Sequence, residues 1–375
     1  MVDWFSGHPE AAQQAGATLA QLAAVEDVIA SPLPTDLRLL LSRHNGAALP
    51  SGQLLRAGAL DGSDGSAEPI VPELSVLGAL SQLAQQLGSR PDDPELLLPY
   101  FRTDEGSLLA FDRSAGPVAD TWPVVDYQLE GGQARLVHRT LSGWCRMSVA
   151  QWSDQSGAEV FDLDSYLASG RRHVAVEPDV SVAHATVAHA LRRAGQPEEA
   201  LAAYLKAARC VPSQPWCDWE ALKLAALLRL PDEGLEAARR LCAHAPASRW
   251  RERETSPERV ADMLGKVGAV SNPRDPILRL LDQLSEQSDD GAEIDHIASV
   301  RRYLMGNGAA PATVPPRPTA IETDDEADIE ERWQQAEQAY REGRIREEDL
   351  LLDPAYQVLR AHRPLSDLLR IRREF

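Results

Sequence analysis

The chain has 375 residues, of which 43% are hydrophobic and 25% charged, as in a globular protein with two or three domains. Its formal net charge of −19 argues against binding to nucleic acid, because such binding requires a basic surface. No apolar run approaches the ~18 residues that span a bilayer, and the first residues lack the basic and apolar regions of a signal peptide. We therefore expect a cytoplasmic protein that does not associate with membranes.

Two helices are predicted near the N-terminus. The first lies between residues 8 and 30, where small and apolar residues recur at helical spacing. The second follows Pro34, which has a helical φ, and Asp36, whose carboxylate suits the positive start of a helix. Its apolar residues fall at positions i, i+3, i+4 and i+7: Leu37, Leu40, Leu41 and His44. Asn45 and Gly46 predict its end, because glycine readily takes the left-handed conformation.

The next part of the chain is predicted to contain turns, one helix and then strands, as the period of its apolar residues changes from 3.6 to 2. Residues 58 to 72 are rich in turns, with strands expected near Leu54 and Ile70, and a helix is predicted over 74–87. Short alternating segments then predict a meandering antiparallel sheet. Its strands are expected at 96–101, 107–112, 123–127 and 134–138. A closing helix is predicted from Phe161 to Gly170.

These landmarks recur in a known order. A leucine-proline pair and Asn45-Gly46 precede the segment Asp104-Glu105-Gly106, which is followed by Pro123 to Tyr127 and a closing helix with Tyr166. This order resembles the SUKH superfamily, the domain shared by a fungal cell-wall-synthesis regulator and many bacterial immunity proteins. Two features differ from the family: residues 74–87 lack its usual tryptophan, and Arg102-Thr103 stands where a glycine usually precedes the turn. The resemblance implies an α+β domain, an antiparallel sheet with flanking helices, over residues 1–175.

Residues 176–305 are alanine-rich and predicted to be helical throughout. Small residues, an aromatic residue and a proline follow the spacing of a tetratricopeptide repeat: Ala188, Gly195, Ala200, Tyr204, Ala207 and Pro212. A degenerate copy follows thirty-four residues later: Leu222, Gly234, Ala238, Leu241 and Pro246. The segment therefore resembles tetratricopeptide repeats, and a helical hairpin without repeat ancestry is the alternative. Further helices are expected over 276–284 and 294–304, and their repeat register stays open.

The remaining chain divides by composition. Residues 306–328 combine prolines with an acidic run, which predicts a disordered linker. Residues 329–375 predict a helical tail, with an amphipathic helix at 329–343 and a segment from Asp353 to Leu369. That last segment resembles the tail that closes many bacterial tetratricopeptide arrays, and it could fold back on the stack.

No catalytic or metal-binding pattern emerges from local spacing. The chain has no glycine-rich phosphate loop, and Cys210 and Cys217 do not have the spacing of zinc ligands. His184 and His189 lie five residues apart, so they do not share a helix face. Cys145 lies near a histidine in the sequence, but a nucleophile pair also needs an orienting third group. We therefore expect a protein that is not an enzyme and that needs no cofactor or metal.

The residues and the resemblance together predict a binding function. SUKH relatives receive partner proteins in a cleft beside the Asp104-Glu105 turn, so the resemblance implies an immunity-type protein that binds and blocks a toxin. Residues 1–175 contain 22 acidic residues and 11 arginines, a difference of −11, which favours a basic partner. The predicted partner-binding residues are Asp104, Glu105, Asp126 and Tyr127, with Tyr127 as aromatic anchor. The helical repeats would offer a groove for a peptide or a second protein.

Two other functions stay open. The first is a housekeeping scaffold or regulator, in which the SUKH-like domain holds one client protein and the repeats hold another. The second is an enzyme of unrecognised type, since Asp104, Glu105 and Asp112 form a small acidic group that could serve in acid-base chemistry. A neighbouring toxin gene would distinguish an immunity protein from a scaffold.

Overall fold

The chain divides into two units, and the antiparallel sheet lies in unit 1. Unit 1 contains Met1–Glu159 and Arg172–Val182, and unit 2 contains Val160–Arg171 and Ala183–Phe375. A computed structural model describes residues 15–65, 70–90, 92, 96–114, 122–154, 162–210, 214–244, 256–270, 274–311 and 326–373. The predicted mixture of an α+β region and a helical region is confirmed at this level. No helix within these ranges is both long and apolar enough to cross a bilayer.

Unit 1 is built on a six-stranded meander. Its strands are β1 Ala48–Leu49, β2 Gly52–Leu54, β3 Leu98–Thr103, β4 Leu108–Phe111, β5 Val124–Gln128 and β6 Gln133–His138. Each strand pairs antiparallel with the next, in the order β1-β2-β3-β4-β5-β6. The four strands predicted from residue 96 onward are confirmed, whereas the strand expected near Ile70 is wrong. A 3-10 turn, Pro72–Leu74, follows that position and leads into the next helix.

Among the described residues, four helices belong wholly to unit 1. They are α1 Leu19–Ile29, α2 Thr35–Leu41, α3 Val76–Leu87 and α4 Leu141–Asp154. Thr18 begins α1 with a capping box, in which its hydroxyl accepts from the Gln21 N–H. Ser75 caps the start of α3, and Gly88 ends that helix in the left-handed conformation. One apolar cluster joins these helices to residues of the sheet such as Tyr100 and Phe111.

Helix α2 ends earlier than its sequence predicts. Its last residue is Leu41, so His44 lies beyond the helix. The side-chain oxygen of Asn45 accepts a hydrogen bond of 2.6 Å from the N–H of Ala57, which lies twelve residues later in the chain. Gly46 has φ +82°, and a Cβ there would overlap the side chain of Arg56. Asn45 and Gly46 therefore shape the loop that leads to the sheet.

Helices α5 and α6 each contribute residues to both units. Helix α5 covers Leu163–Val176 and α6 covers Ser181–Arg193. The expected end of α5 at Gly170 is wrong, since the helix continues for almost two more turns. Gly170 instead allows a close approach, because a Cβ there would lie 3.1 Å from methyl groups of Thr186 and Val187 on α6.

The rest of unit 2 is helical throughout the residues that the structure describes. Its helices are α7 Pro197–Arg209, α8 Pro215–Leu228, α9 Pro231–His244, α10 Pro257–Val270, α11 Arg274–Gln287, α12 Gly291–Leu304, α13 Glu326–Arg341, α14 Glu347–Leu352, α15 Gln357–His362 and α16 Ser366–Leu369. Helix α8 packs against α7 and α9, and helices α10, α11 and α12 pack against one another. Helix α14 packs against α8 and α10. The tail thus shares the apolar cluster of the preceding helices.

The predicted linker lies largely outside the described residues. Residues 312–325 are not described, and α13 begins at Glu326, three residues before the predicted boundary at 329. The paired leucines of the tail, Leu368 and Leu369, are buried with 0% and 1% of their surface exposed. They therefore contribute directly to the core of unit 2.

A larger side chain in place of Ala200 would test how tightly α7 packs within unit 2. Its side chain is fully buried in the apolar cluster that also contains Tyr204 and Leu222. We expect Ala200→Leu to lower the free energy of unfolding by about 1–3 kcal/mol, because a dense core cannot take up the added carbons without strain. Urea denaturation followed by circular dichroism measures this change. Ala203→Leu, at a half-buried position of the same helix, is the matched control, and an equal effect of both variants would contradict the prediction.

Candidate functional site

Three hairpin turns of unit 1 lie at the same end of the sheet. Gly52 of β2 pairs with Thr103 of β3, which places the β1–β2 turn beside the β3–β4 turn. Leu108 of β4 pairs with Tyr127 of β5, so the β5–β6 turn lies at this end as well. We call residues 50–51, 104–107 and 129–132 the acidic sheet end.

The charged side chains of the acidic sheet end are all acidic. Asp104, Glu105 and Glu130 are exposed, and the three turns contain no lysine, arginine or histidine. None of these carboxylates forms an ion pair within the described part of the chain. Because no ion pair neutralises these carboxylates, they would attract a cationic partner.

Backbone hydrogen bonds hold the Asp104-Glu105 turn in place. The Asp104 N–H donates to the Ser51 carbonyl at 3.1 Å, which links two of the three turns. Thr103 closes the turn, because its hydroxyl accepts from the Ser107 N–H at 3.1 Å and its carbonyl accepts from Gly106. Gly106 has φ +87°, a conformation that favours glycine. The two carboxylates are thus presented on an ordered backbone.

The structure separates the four predicted partner-binding residues. Asp104 and Glu105 are exposed on the turn, and Asp126 is half-buried on β5, opposite Arg135 of β6. Tyr127 is only 3% exposed, so its expected role as an exposed aromatic anchor is wrong. Successive residues of a strand face opposite sides of the sheet, and both sides of this sheet are packed. A Cβ on Gly132 would lie 3.8 Å from the Tyr127 hydroxyl, which places this side chain beneath the β5–β6 turn.

A second candidate site in unit 1 consists of His138, His173 and Glu177. Glu177 Oε2 lies 2.7 Å from His138 Nδ1 and 3.1 Å from His173 Nε2. One ligand atom from each residue lies within 4.8 Å of the other two. The side chains are 11%, 13% and 5% exposed, respectively. We call these three residues the His-Glu cluster.

The backbone around Glu177 is adapted to its carboxylate. The other oxygen, Oε1, accepts a hydrogen bond of 3.1 Å from the Arg139 N–H. A Cβ on Gly143, in the first turn of α4, would overlap this oxygen, so the close approach requires glycine. Burial alone would raise the pKa of Glu177, but the hydrogen bonds from both imidazoles outweigh it and lower the pKa to about 2. The carboxylate is therefore charged at neutral pH.

Local sequence spacing does not reveal the whole His-Glu cluster. His173 and Glu177 lie four residues apart at the end of α5, a spacing that places both on one helix face. His138 is 35 residues before His173 and ends strand β6. Only the fold of unit 1 brings it to the other two. The sequence signal for this site is the i, i+4 pair of His173 and Glu177. A comparison of the spacings between histidines alone does not detect it.

Cys145 of α4 is poorly suited to nucleophilic chemistry. Its side chain is fully buried, and burial raises the pKa of the thiol well above its usual range. The thiolate, not the thiol, is the nucleophilic form of cysteine. His138, the nearest histidine in the sequence, directs its Nδ1 to Glu177. Neither observation favours a cysteine-histidine catalyst.

Unit 2 contains a buried network of charged side chains. Glu347 lies 3.5 Å from both Arg192 Nε and Arg373 Nη1, and it accepts a hydrogen bond of 2.8 Å from the Tyr340 hydroxyl. Arg192 also pairs with Glu220, whose other oxygen lies 2.6 Å from Lys223 Nζ. Arg192, Glu220 and Glu347 are at most 14% exposed. This network joins helices α6 and α8 to the C-terminal segment of the same unit.

Comparison with known proteins identifies no relative of this chain. No family model matches it, and neither curated proteins nor solved structures include a significant match. The geometry of the described residues, together with the sequence, is therefore the basis for any functional proposal.

Proposed function

We propose that the protein is a non-enzymatic binding protein that receives a basic protein partner at the acidic sheet end of unit 1. The observation that carries the proposal is the meeting of three hairpin turns with exposed Asp104, Glu105 and Glu130 and no basic residue. Carboxylates on an ordered turn steer a cationic partner and fix its orientation.

Within this proposal, the protein is an immunity-type protein of the SUKH superfamily that binds and blocks a toxin. The order of landmarks in the sequence supports the family, and the −11 charge of residues 1–175 supports a basic target. Inhibition would be steric and electrostatic, since an acidic surface would cover the basic substrate-binding surface of a nuclease-like toxin.

A scaffold that holds two client proteins is the second candidate. It is favoured by the presence of two units with separate apolar clusters. The sequence of the helical unit also resembles the tetratricopeptide pattern in its spacing of small residues. Such stacks present extended surfaces to peptides and proteins. A toxin gene beside the gene for this chain would favour immunity, and its absence would favour the scaffold.

Reversing the charge of the turn tests the proposed surface. We expect the double variant Asp104→Lys and Glu105→Lys to associate with a captured partner roughly tenfold more slowly at low salt, because electrostatic steering is lost. The partner is first captured from cell lysate on the immobilised parent chain, and its association is then measured at several salt concentrations.

The matched control for this experiment is the double variant Asp27→Lys and Glu73→Lys. Both residues are exposed in unit 1, and this variant has the same change in net charge. We expect it to retain most of the parent's association rate and salt dependence. Equal slowing of both double variants would mean that only net charge matters, and no slowing of either would place recognition elsewhere, such as on the helical repeats.

A further inference from the structure

We propose that the His-Glu cluster of unit 1 binds a zinc ion, or a divalent transition-metal ion of similar chemistry. His138, His173 and Glu177 offer two imidazole nitrogens and one carboxylate oxygen, and one such atom from each lies within 4.8 Å of the others. Zinc binds these atoms at about 2.0–2.2 Å in tetrahedral sites, which separates neighbouring ligands by about 3.4 Å. Small side-chain rotations would therefore suffice.

The surroundings of the cluster resemble those of a metal site. Ligating carboxylates are usually held by an outer hydrogen bond, and the Arg139 N–H supplies one to Glu177 Oε1 at 3.1 Å. Gly143 leaves the space that this oxygen occupies, although glycine inside a helix is less favourable than alanine. Strand β6 and the end of α5 hold the two histidines on regular secondary structure.

The ion would connect separate segments of unit 1. His138 ends β6, whereas His173 and Glu177 belong to the segment Arg172–Val182, which returns to unit 1 later in the chain. Three protein ligands would leave a fourth position of a tetrahedral ion for water or for a group from another molecule. Without an ion, the same side chains hydrogen-bond one another, so the site is formed before metal binds.

Zinc titration of the full chain tests this proposal. The protein is first stripped of metal with a chelator, and zinc binding is then measured by calorimetry together with the melting temperature. We expect one ion per chain and a rise in melting temperature with zinc concentration, because a ligand that binds only the folded state stabilises it. Cobalt substituted for zinc should give visible absorption bands without a thiolate charge-transfer band.

The variant His138→Gln with His173→Gln should lose saturable binding. Glutamine retains an N–H donor for Glu177 but has no imidazole, and circular dichroism checks that the variant folds. His189→Gln, which changes a histidine of unit 2, is the matched control and should bind zinc as the parent does. Unchanged zinc binding by the double variant, no saturable binding by the parent, or a thiolate band with cobalt would each overturn the proposal.

Discussion

Glu347→Gln is expected to lower the free energy of unfolding of unit 2 by about 3 kcal/mol, since removal of one partner from a buried ion pair leaves charge uncompensated. Glu347 is 2% exposed and faces Arg192 and Arg373. Arg192 keeps Glu220 as a partner, which places the expected loss at the lower end of the range for buried pairs. Glutamine can still accept the hydrogen bond from Tyr340, so the variant removes the charge of Glu347 and keeps this hydrogen bond.

Glu198→Gln is the matched control for this variant. Glu198 also pairs with an arginine of the C-terminal segment, Arg370, but the two side chains are 50% and 55% exposed. Exposed pairs of this kind contribute about 0–1 kcal/mol. Urea denaturation followed by helical circular dichroism compares the two variants. Similar small losses in both would show that the buried network contributes little to stability.

The pH dependence of stability provides a second measurement on Glu347. Burial alone would raise its pKa, but Arg192, Lys223 and the Tyr340 hydrogen bond outweigh burial and lower the pKa from 4.5 to about 2. A lowered pKa in the folded state contributes stability above pH 4.5, and this stability is lost as pH falls toward 2. We expect the difference in stability between the parent and Glu347→Gln to shrink over this interval. A constant difference would contradict the assignment.

The sequence predicted those features of the fold that depend on local patterns. Helix α7 begins at Pro197, where the sequence alone marks a helix start, because proline suits the first position of a helix and Glu198 and Glu199 suit the first turn. Strands β3 to β6 were also predicted, since alternating apolar residues separated by turns specify hairpins. Helix α4 was missed.

Features that depend on distant contacts could not be predicted. The loop that follows α2 is held by Asn45, whose partner Ala57 lies twelve residues away. The burial of Tyr127 follows from packing on both sides of the sheet, which alternation along one strand does not show. The His-Glu cluster likewise requires the end of α5 to lie beside β6. Residue spacing along the sequence shows which side chains share a face of one helix or strand. It does not show which helices and strands come together to form a site.

Gly195→Ala is expected to lower the free energy of unfolding of unit 2 by at least about 2 kcal/mol, because two effects combine at this position. Gly195 has φ +76°, a conformation that costs other residues about 1–2 kcal/mol. In addition, a Cβ there would overlap the carbonyl oxygen of Arg370 and lie 2.8 Å from its carbonyl carbon. The C-terminal segment would have to move, and the hydrogen bond of 2.7 Å from the Arg373 N–H to the Arg193 carbonyl would be lost.

Gly306→Ala separates these two effects. Gly306 has φ +79°, but a Cβ there would meet no atom within 4 Å, so this variant carries only the backbone strain. Urea denaturation gives both losses of stability, and hydrogen exchange followed by mass spectrometry reports on residues 363–373. We expect exchange in this segment to increase in Gly195→Ala and to stay at the parent's level in Gly306→Ala. Equal losses of stability with unchanged exchange would show that Gly195 does not hold the C-terminal segment in place.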